Sequence, residues 1–121
     1  MADSKLAIAE REAGDVTILT LRGQMLLDDG DLAFRRHIHD LVDRHRVKVV
    51  VDLGGVTYMD SAGIGMIAAK VKTLREQHGD MKLLNLTTRG QRVFGVAKLH
   101  LLFEIFDNEE AAVRSFQFNV R

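Results

Sequence analysis

The stretch YMDSAGIG, residues 58–65, places a serine beside an aspartate and just before two glycines. A serine in such a setting can cap a helix, attack a substrate carbonyl or accept a phosphate. The negative charge of Asp60 can interact favourably with the positive N-terminal end of a helix dipole. Gly63 and Gly65 can admit a close backbone or belong to a phosphate-binding loop. The flanking elements decide which of these chemistries Ser61 performs.

The chain around this stretch alternates between strand and helix patterns. Alternating apolar and polar residues over 6–12 and 16–21 predict a hairpin. The valine-rich run over 48–53 is typical of a strand buried on both faces of a sheet. After Ser61 the apolar period becomes helical, with a stop expected at Gly79. The apolar stripe of this helix is Ile64, Ile67, Ala68, Val71 and Leu74.

Similar signals complete the order β-β-α-β-α-β-α-β-α. Parallel neighbours joined by a helix are expected to have right-handed crossovers. The remaining predicted elements are a helix capped by Asp31 with Phe34, Ile38, Leu41 and Val42 on one face, a strand over 81–86, a helix over 89–97 capped by Thr87 or Thr88, a strand over 101–106, and a helix over 108–115 begun by Asn108.

The composition excludes several classes of function. The 121 residues contain no cysteine, which excludes a disulfide framework, a thiolate zinc site and a cysteine nucleophile. Lys plus Arg and Asp plus Glu both number 17, so no net charge attracts nucleic acid or anionic lipid. The N-terminus has no secretory pattern, and no apolar run is long enough to span a membrane. We expect one cytoplasmic domain whose partner is a protein.

Two catalytic or nucleotide-binding interpretations of the motif fit poorly. GIGMIA, residues 63–68, matches G-x-G-x-x-A, but that fingerprint forms the turn before a helix, and here it falls inside the predicted helix. A hydrolase elbow requires glycine where Met59 stands, and an acid and a histidine that converge on the serine. His78 and His100 follow in sequence, but the chain is too short for that fold.

A helix cap and a phosphorylation site remain. As the N-cap, Ser61 would accept a backbone N–H from the first turn, which would stabilise the fold by about 0.5 to 2 kcal/mol. A phosphoserine carries about −1.5 to −2 charges, and a helix N-terminus accepts such an anion. Lys70 lies more than two turns away in sequence and neutralises little of that charge. This pattern favours a switch that repels a partner.

The motif and its context resemble a known family. VVVDLGGVTYMDSAGIGMI, residues 49–67, follows two strands and a helix and precedes MKLLNLTTRGQRVFGVAKLHLLFEIF. Over residues 6–115 the chain resembles a bacterial STAS domain of the anti-sigma-factor antagonist type. The resemblance implies an α/β fold over residues 1–121: a single domain with a mixed, mostly parallel β-sheet flanked by about four helices. It also implies a binding protein that is not an enzyme and needs no cofactor or metal.

The family resemblance further implies a phosphorylation switch. The unphosphorylated antagonist binds an anti-sigma factor that is also a serine kinase, and thereby frees a sigma factor for transcription. The kinase, which brings ATP and magnesium, phosphorylates the motif serine and releases the antagonist, and a PP2C-type phosphatase restores it. Ser61 matches the phosphoacceptor, Asp60 the aspartate that supports partner recognition, and Gly63 the glycine that admits the partner's backbone. Further expected contacts are Met59, Ile64 and Met66.

Two alternatives stay open at this point. The chain could serve as a STAS scaffold or stressosome-type component in which Ser61 is never modified. A phospho-receiver using Asp52 would need an early acidic pair for Mg²⁺ and a late lysine, and only Lys98 is available. The chain also departs from the family pattern glycine-x-leucine-aspartate: it reads GQMLLDD over 23–29, so neither Asp28 nor Asp29 receives a role.

Overall fold

The predicted order of strands and helices is confirmed by the computed structural model, which describes residues 6–26, 29–96 and 98–118. Short 3₁₀ turns follow the third and fourth helices, at Leu99–Leu101 and Phe116–Phe118. The main elements are β1 (Leu6–Ala13), β2 (Val16–Met25), α1 (Asp29–Asp43), β3 (Lys48–Met59), α2 (Ser61–Glu76), β4 (Asp80–Leu84), α3 (Thr88–Val96), β5 (Ile105–Phe106) and α4 (Glu109–Ser115).

The sheet is mixed and mostly parallel, as predicted. Its five strands lie in the order β1-β2-β3-β4-β5. β1 pairs antiparallel with β2, and every later neighbour is parallel. Val49, Val50 and Val51 are all 0% exposed, because consecutive residues of a central strand face opposite layers of helices. The prediction from the valine-rich run, a strand buried on both faces of the sheet, is therefore confirmed.

Helices cover the two faces of the sheet unequally. The larger core lies under α1, α2 and α3, while α4 covers the opposite face. The α4 side is a smaller cluster formed by Val16, Ile18, Val50, Leu84, Ala112 and Phe116. The β3–α2 junction, which carries the serine motif, packs against the larger core through Met59, Ile64 and Met66.

Two predicted helix boundaries were wrong. α1 begins at Asp29, so Asp31 lies within the helix. α2 ends at Glu76, and the residue with left-handed backbone is His78 (φ 67°), not Gly79. Gly79 is nevertheless required, because a Cβ there would lie 2.0 Å from the Val47 carbonyl oxygen.

The strand predicted over 101–106 is mostly not a strand. A 3₁₀ turn occupies Leu99–Leu101, and only Ile105–Phe106 joins the sheet, where it pairs with Leu83 and Leu84 at the end of β4.

β3 is six residues longer than predicted, and its two halves differ. Residues 48–52 pair with both β2 and β4, whereas residues 53–59 pair only with β2, through two register shifts. β4 ends at Leu84, opposite Asp52. The second half of β3 therefore has an open edge, which reaches the start of α2.

The interpretation of Asp52 as a receiver phosphoacceptor was wrong. A doubly wound receiver has an all-parallel sheet in which the first strand lies inside the sheet. Here β1 is an antiparallel edge strand. Asp52 lies in the middle of β3, where its Oδ1 accepts the Gly54 N–H at 2.9 Å and an Asn85 Nδ2–H at 3.3 Å.

Candidate functional site

Asp60, not Ser61, caps α2. Asp60 has extended backbone (φ −88°, ψ −179°), and its Oδ1 accepts the Gly63 N–H at 2.9 Å. Its own N–H donates to the Met25 carbonyl at 3.3 Å, which ties the junction to the end of β2. The prediction that Ser61 is the N-cap is therefore corrected: Ser61 is the first residue of the helix.

The Ser61 side chain is left available by this arrangement. Ser61 is exposed, and the cap hydrogen bond that it was expected to make is made by its neighbour. The first turn of α2 contains no acidic residue. An exposed hydroxyl thus lies where free backbone N–H groups and the helix dipole favour an anion.

Gly63 and Gly65 have different surroundings. Gly63 is buried, and a Cβ on it would lie 2.5 Å from the Met25 carbonyl oxygen and 2.9 Å from Met59 Cγ. The close approach expected from a partner at Gly63 is therefore made by β2 of the same chain. Gly65 is exposed, and a Cβ there would meet nothing within 4 Å. Gly65 therefore has open space around it, one helical turn after Ser61.

The three apolar residues expected to contact a partner flank the serine. Met59, Ile64 and Met66 are each partly buried and pack against the main core. Each therefore combines core packing with an exposed remainder. Asp60 is likewise only partly exposed, since its carboxylate is turned towards the helix start.

The Lys70 side chain of α2 is directed towards α1 and not towards the serine. Lys70 is 9% exposed, and its Nζ lies 3.0 Å from His39 Nε2 on α1. Burial, and then the positive charge of Arg35, lower the pKa of Lys70. The Lys70 side chain is engaged in the α1–α2 contact, which agrees with the prediction that it neutralises little charge at Ser61.

Sequence reasoning missed an apolar cleft beside the motif. It has a volume of about 190 Å³ and lies between the open edge of β3, the first turn of α2 and α3. Met59 and Ile64 line it, as does Arg89. Val56, Tyr58 and Met59, beyond the predicted strand end, were the available signal, but the open edge depends on where β4 stops.

Within the described ranges, no group of three or more His, Cys, Asp or Glu side chains could hold a metal ion. Across those same ranges, no helix combines the length and apolar character that a membrane crossing requires. Asp28 lies outside the described residues. His78, considered for a hydrolase, is exposed beyond the far end of α2.

The fold and the junction define a small α/β domain with an exposed serine at the start of a central helix. The family model described as "STAS domain" matches residues 7–112. The chain belongs to the STAS domain family, as the sequence motif predicted.

Three similar proteins illustrate this membership. BtrV of Bordetella bronchiseptica, named as a candidate anti-sigma factor antagonist, is 32% identical over 76 residues, which cover 63% of this chain and 66% of BtrV. The anti-sigma F factor antagonist of Paenibacillus polymyxa is 24% identical over 103 residues, covering 84% of this chain and 87% of that protein. The phosphorylated form of the Bacillus cell fate determinant SpoIIAA superposes with a TM-score of 0.71 at 20% identity, covering 90% and 99% of the two chains.

Proposed function

We propose that this protein is an anti-sigma-factor antagonist controlled at Ser61. With Ser61 unmodified it binds an anti-sigma factor that is also a serine kinase, and so frees a sigma factor for transcription. Phosphorylation of Ser61 by that kinase releases the antagonist. The observation that carries the proposal is that Ser61 is exposed and is not the helix cap, because its neighbour Asp60 accepts the capping hydrogen bond.

The local electrostatics suit a reversible modification. The N-terminus of α2 offers backbone N–H groups and a positive dipole end, which stabilise a phosphate in the folded protein. The Asp60 carboxylate opposes it through like-charge repulsion, so the added charge projects outward to the surface that a partner covers. A change of about −1.5 to −2 charges there is large enough to expel a partner fitted to a neutral serine.

The contact surface follows from the same junction. Met59, Ile64 and Met66 present partly buried apolar groups around the serine, and Asp60 holds the first turn. Gly63 contributes indirectly, because it allows α2 to start against β2 at this position. ATP and magnesium would come with the kinase and dephosphorylation from a PP2C-type phosphatase, so we assign no catalytic activity or cofactor to this chain.

The test is phosphorylation by kinases of the same organism. The protein and its Ser61→Ala variant are each incubated with ATP, magnesium and each STAS-binding kinase. Intact-mass spectrometry then counts the phosphates, and peptide mapping locates them. We expect a single phosphate on Ser61 and none on the variant, which should still bind the kinase. A kinase that binds the protein but transfers no phosphate would overturn the switch and leave the chain as a STAS scaffold.

A further inference from the structure

The apolar cleft has a closed floor and an open mouth. Its floor consists of core side chains that are no more than 9% exposed: Leu53, Val56, Leu86 and Phe94. Its mouth carries Tyr58, 47% exposed, and Val93, 36% exposed. Large apolar groups of this kind are costly to leave in water, so the mouth is a surface suited to being covered.

The sheet itself explains why the cleft exists. β4 stops at Leu84, so the later residues of β3 have no neighbouring strand on that side. α3 lies across the gap instead. Gly90 lets the first turn of α3 pack closely on Leu86, in the segment between β4 and α3, since a Cβ there would lie only 2.8 Å from Leu86 Cδ1. The cleft is therefore built by well-packed elements.

The size of the cleft limits its occupant. Its volume is about 190 Å³. An apolar cavity of about 150 Å³ accepts a benzene molecule, so this cleft accommodates one aromatic ring or one branched aliphatic side chain. A whole helix or a second sheet edge would not enter it. The dimensions match a single anchoring side chain of the kind that dominates protein interfaces.

The charge at the rim specifies what accompanies that side chain. Arg89 is exposed on the rim and forms no ion pair or side-chain hydrogen bond with any residue in the described ranges. A guanidinium of this kind favours a carboxylate in a bidentate geometry. Together the cleft and Arg89 fit a large apolar residue with an acidic residue close to it.

The cleft is continuous with the Ser61 surface. Met59 precedes the serine by two residues and Ile64 follows it by three, and both line the cleft. A protein that covers Ser61 therefore also reaches the mouth of the cleft. This places the cleft in the same contact surface as the phosphorylation site.

We infer that the cleft binds one large apolar side chain of the anti-sigma kinase, and that Arg89 binds a carboxylate next to it. The inference rests on the proposed function and names the partner chemistry at that site. It assigns partner-binding roles to Tyr58, Arg89 and Val93, on α3 and the end of β3 rather than on α2.

Two matched pairs of variants on α3 test the inference. Val93→Phe fills the mouth, while Val96→Phe makes the same change at a residue that is 82% exposed and outside the cleft. Arg89→Glu reverses the rim charge, while Arg92→Glu reverses an exposed charge outside the cleft. Affinity for the kinase that binds and phosphorylates the unmodified protein is measured by calorimetry, with thermal unfolding of each variant as the control for folding.

We expect Val93→Phe to weaken binding about tenfold and Arg89→Glu about fivefold, with changes below about twofold for the two controls. Equal affinities within each pair would overturn the cleft while leaving the proposed function intact. If no kinase binds or phosphorylates the unmodified protein, the proposed function itself fails. A dimer of the isolated chain that Val93→Phe dissociates would assign the cleft to a second copy and overturn the inference.

Discussion

Helices α2 and α4 begin with the same type of side-chain cap, but their first turns differ in charge. Asp60 Oδ1 accepts the Gly63 N–H at 2.9 Å, and Asn108 Oδ1 accepts the Ala111 N–H at 2.8 Å. α4 then places two acidic residues, Glu109 and Glu110, in its first turn, whereas α2 has none. α2 instead begins with an exposed serine.

This difference leaves the N-terminal end of α2, unlike that of α4, without acidic side chains in its first turn. The positive end of α4 is occupied by its own carboxylates, and Glu109 also pairs with Arg11 of β1, with Nη2 2.6 Å from Oε1. The first turn of α2 contains no acidic residue, and the residue after the Asp60 cap is the exposed serine for which we propose phosphorylation. Permanent anions stabilise the start of α4, while the proposed phosphate would be a reversible anion at the start of α2.

The largest expected effect concerns the third residue of each helix, Gly63 in α2 and Ala111 in α4. Gly63→Ala should destabilise the fold by about 3 kcal/mol, because the new methyl group would meet the Met25 carbonyl at 2.5 Å. Gly65→Ala is the control: it meets nothing within 4 Å, and should stabilise by up to about 1 kcal/mol. Urea unfolding measures both. Equal midpoints would mean that β2 does not require glycine at this helix start.

The next largest effect is on partner binding. Ser61→Asp should weaken kinase binding about tenfold or more, about 1.4 kcal/mol, while leaving the free energy of unfolding nearly unchanged. Ser61→Asn is the control, because asparagine has the shape of aspartate without its charge. It should bind the kinase much more tightly than Ser61→Asp. Calorimetric titration of the kinase compares them. Similar binding by both variants would show that charge alone does not expel the partner.

The two caps should contribute equally to stability. Asp60→Ala and Asn108→Ala should each cost about 1 kcal/mol, and Asp60→Asn should cost much less because it keeps an accepting oxygen. Ser61→Ala should change stability by less than about 0.5 kcal/mol, because the serine is not the cap. Thermal unfolding of the four variants distinguishes these cases. A Ser61→Ala cost as large as that of Asp60→Ala would return the capping role to the serine.

The smallest effect is the pH dependence of the α4 ion pair. The hydrogen bond from Arg11, and then its charge, lower the pKa of Glu109 below its usual 4.5. A carboxylate with a lowered pKa stabilises the fold above its unfolded pKa and loses that contribution as pH falls through the folded value. Glu109→Gln should therefore cost a few tenths of a kcal/mol near neutral pH, since the pair is exposed, and almost nothing in acid. An equal cost at both pH values would contradict the ion-pair account.

The sequence predicted those features that local pattern determines. The valine run over 48–53 is buried on both faces, and Asn108 begins the last helix as expected. The identity of the α2 cap was harder, because Asp60 and Ser61 are both good capping residues. Which of the two adopts extended backbone depends on how β3 leaves the sheet.

Features that depend on several elements could not be predicted. Gly63 required knowledge that the Met25 carbonyl lies against it, and these residues are far apart in sequence. The cleft depends on β4 ending opposite Asp52 and on α3 crossing the gap. The motif therefore located the proposed modification site, while only the packed fold located the surface beside it.

The most direct test of the account compares one kinase with two forms of this protein. The unmodified protein and the same protein stoichiometrically phosphorylated on Ser61 are titrated against the kinase by calorimetry. We expect the phosphorylated form to bind at least about tenfold more weakly, with both forms equally folded by circular dichroism. Equal affinity of the two forms would contradict a release switch at Ser61.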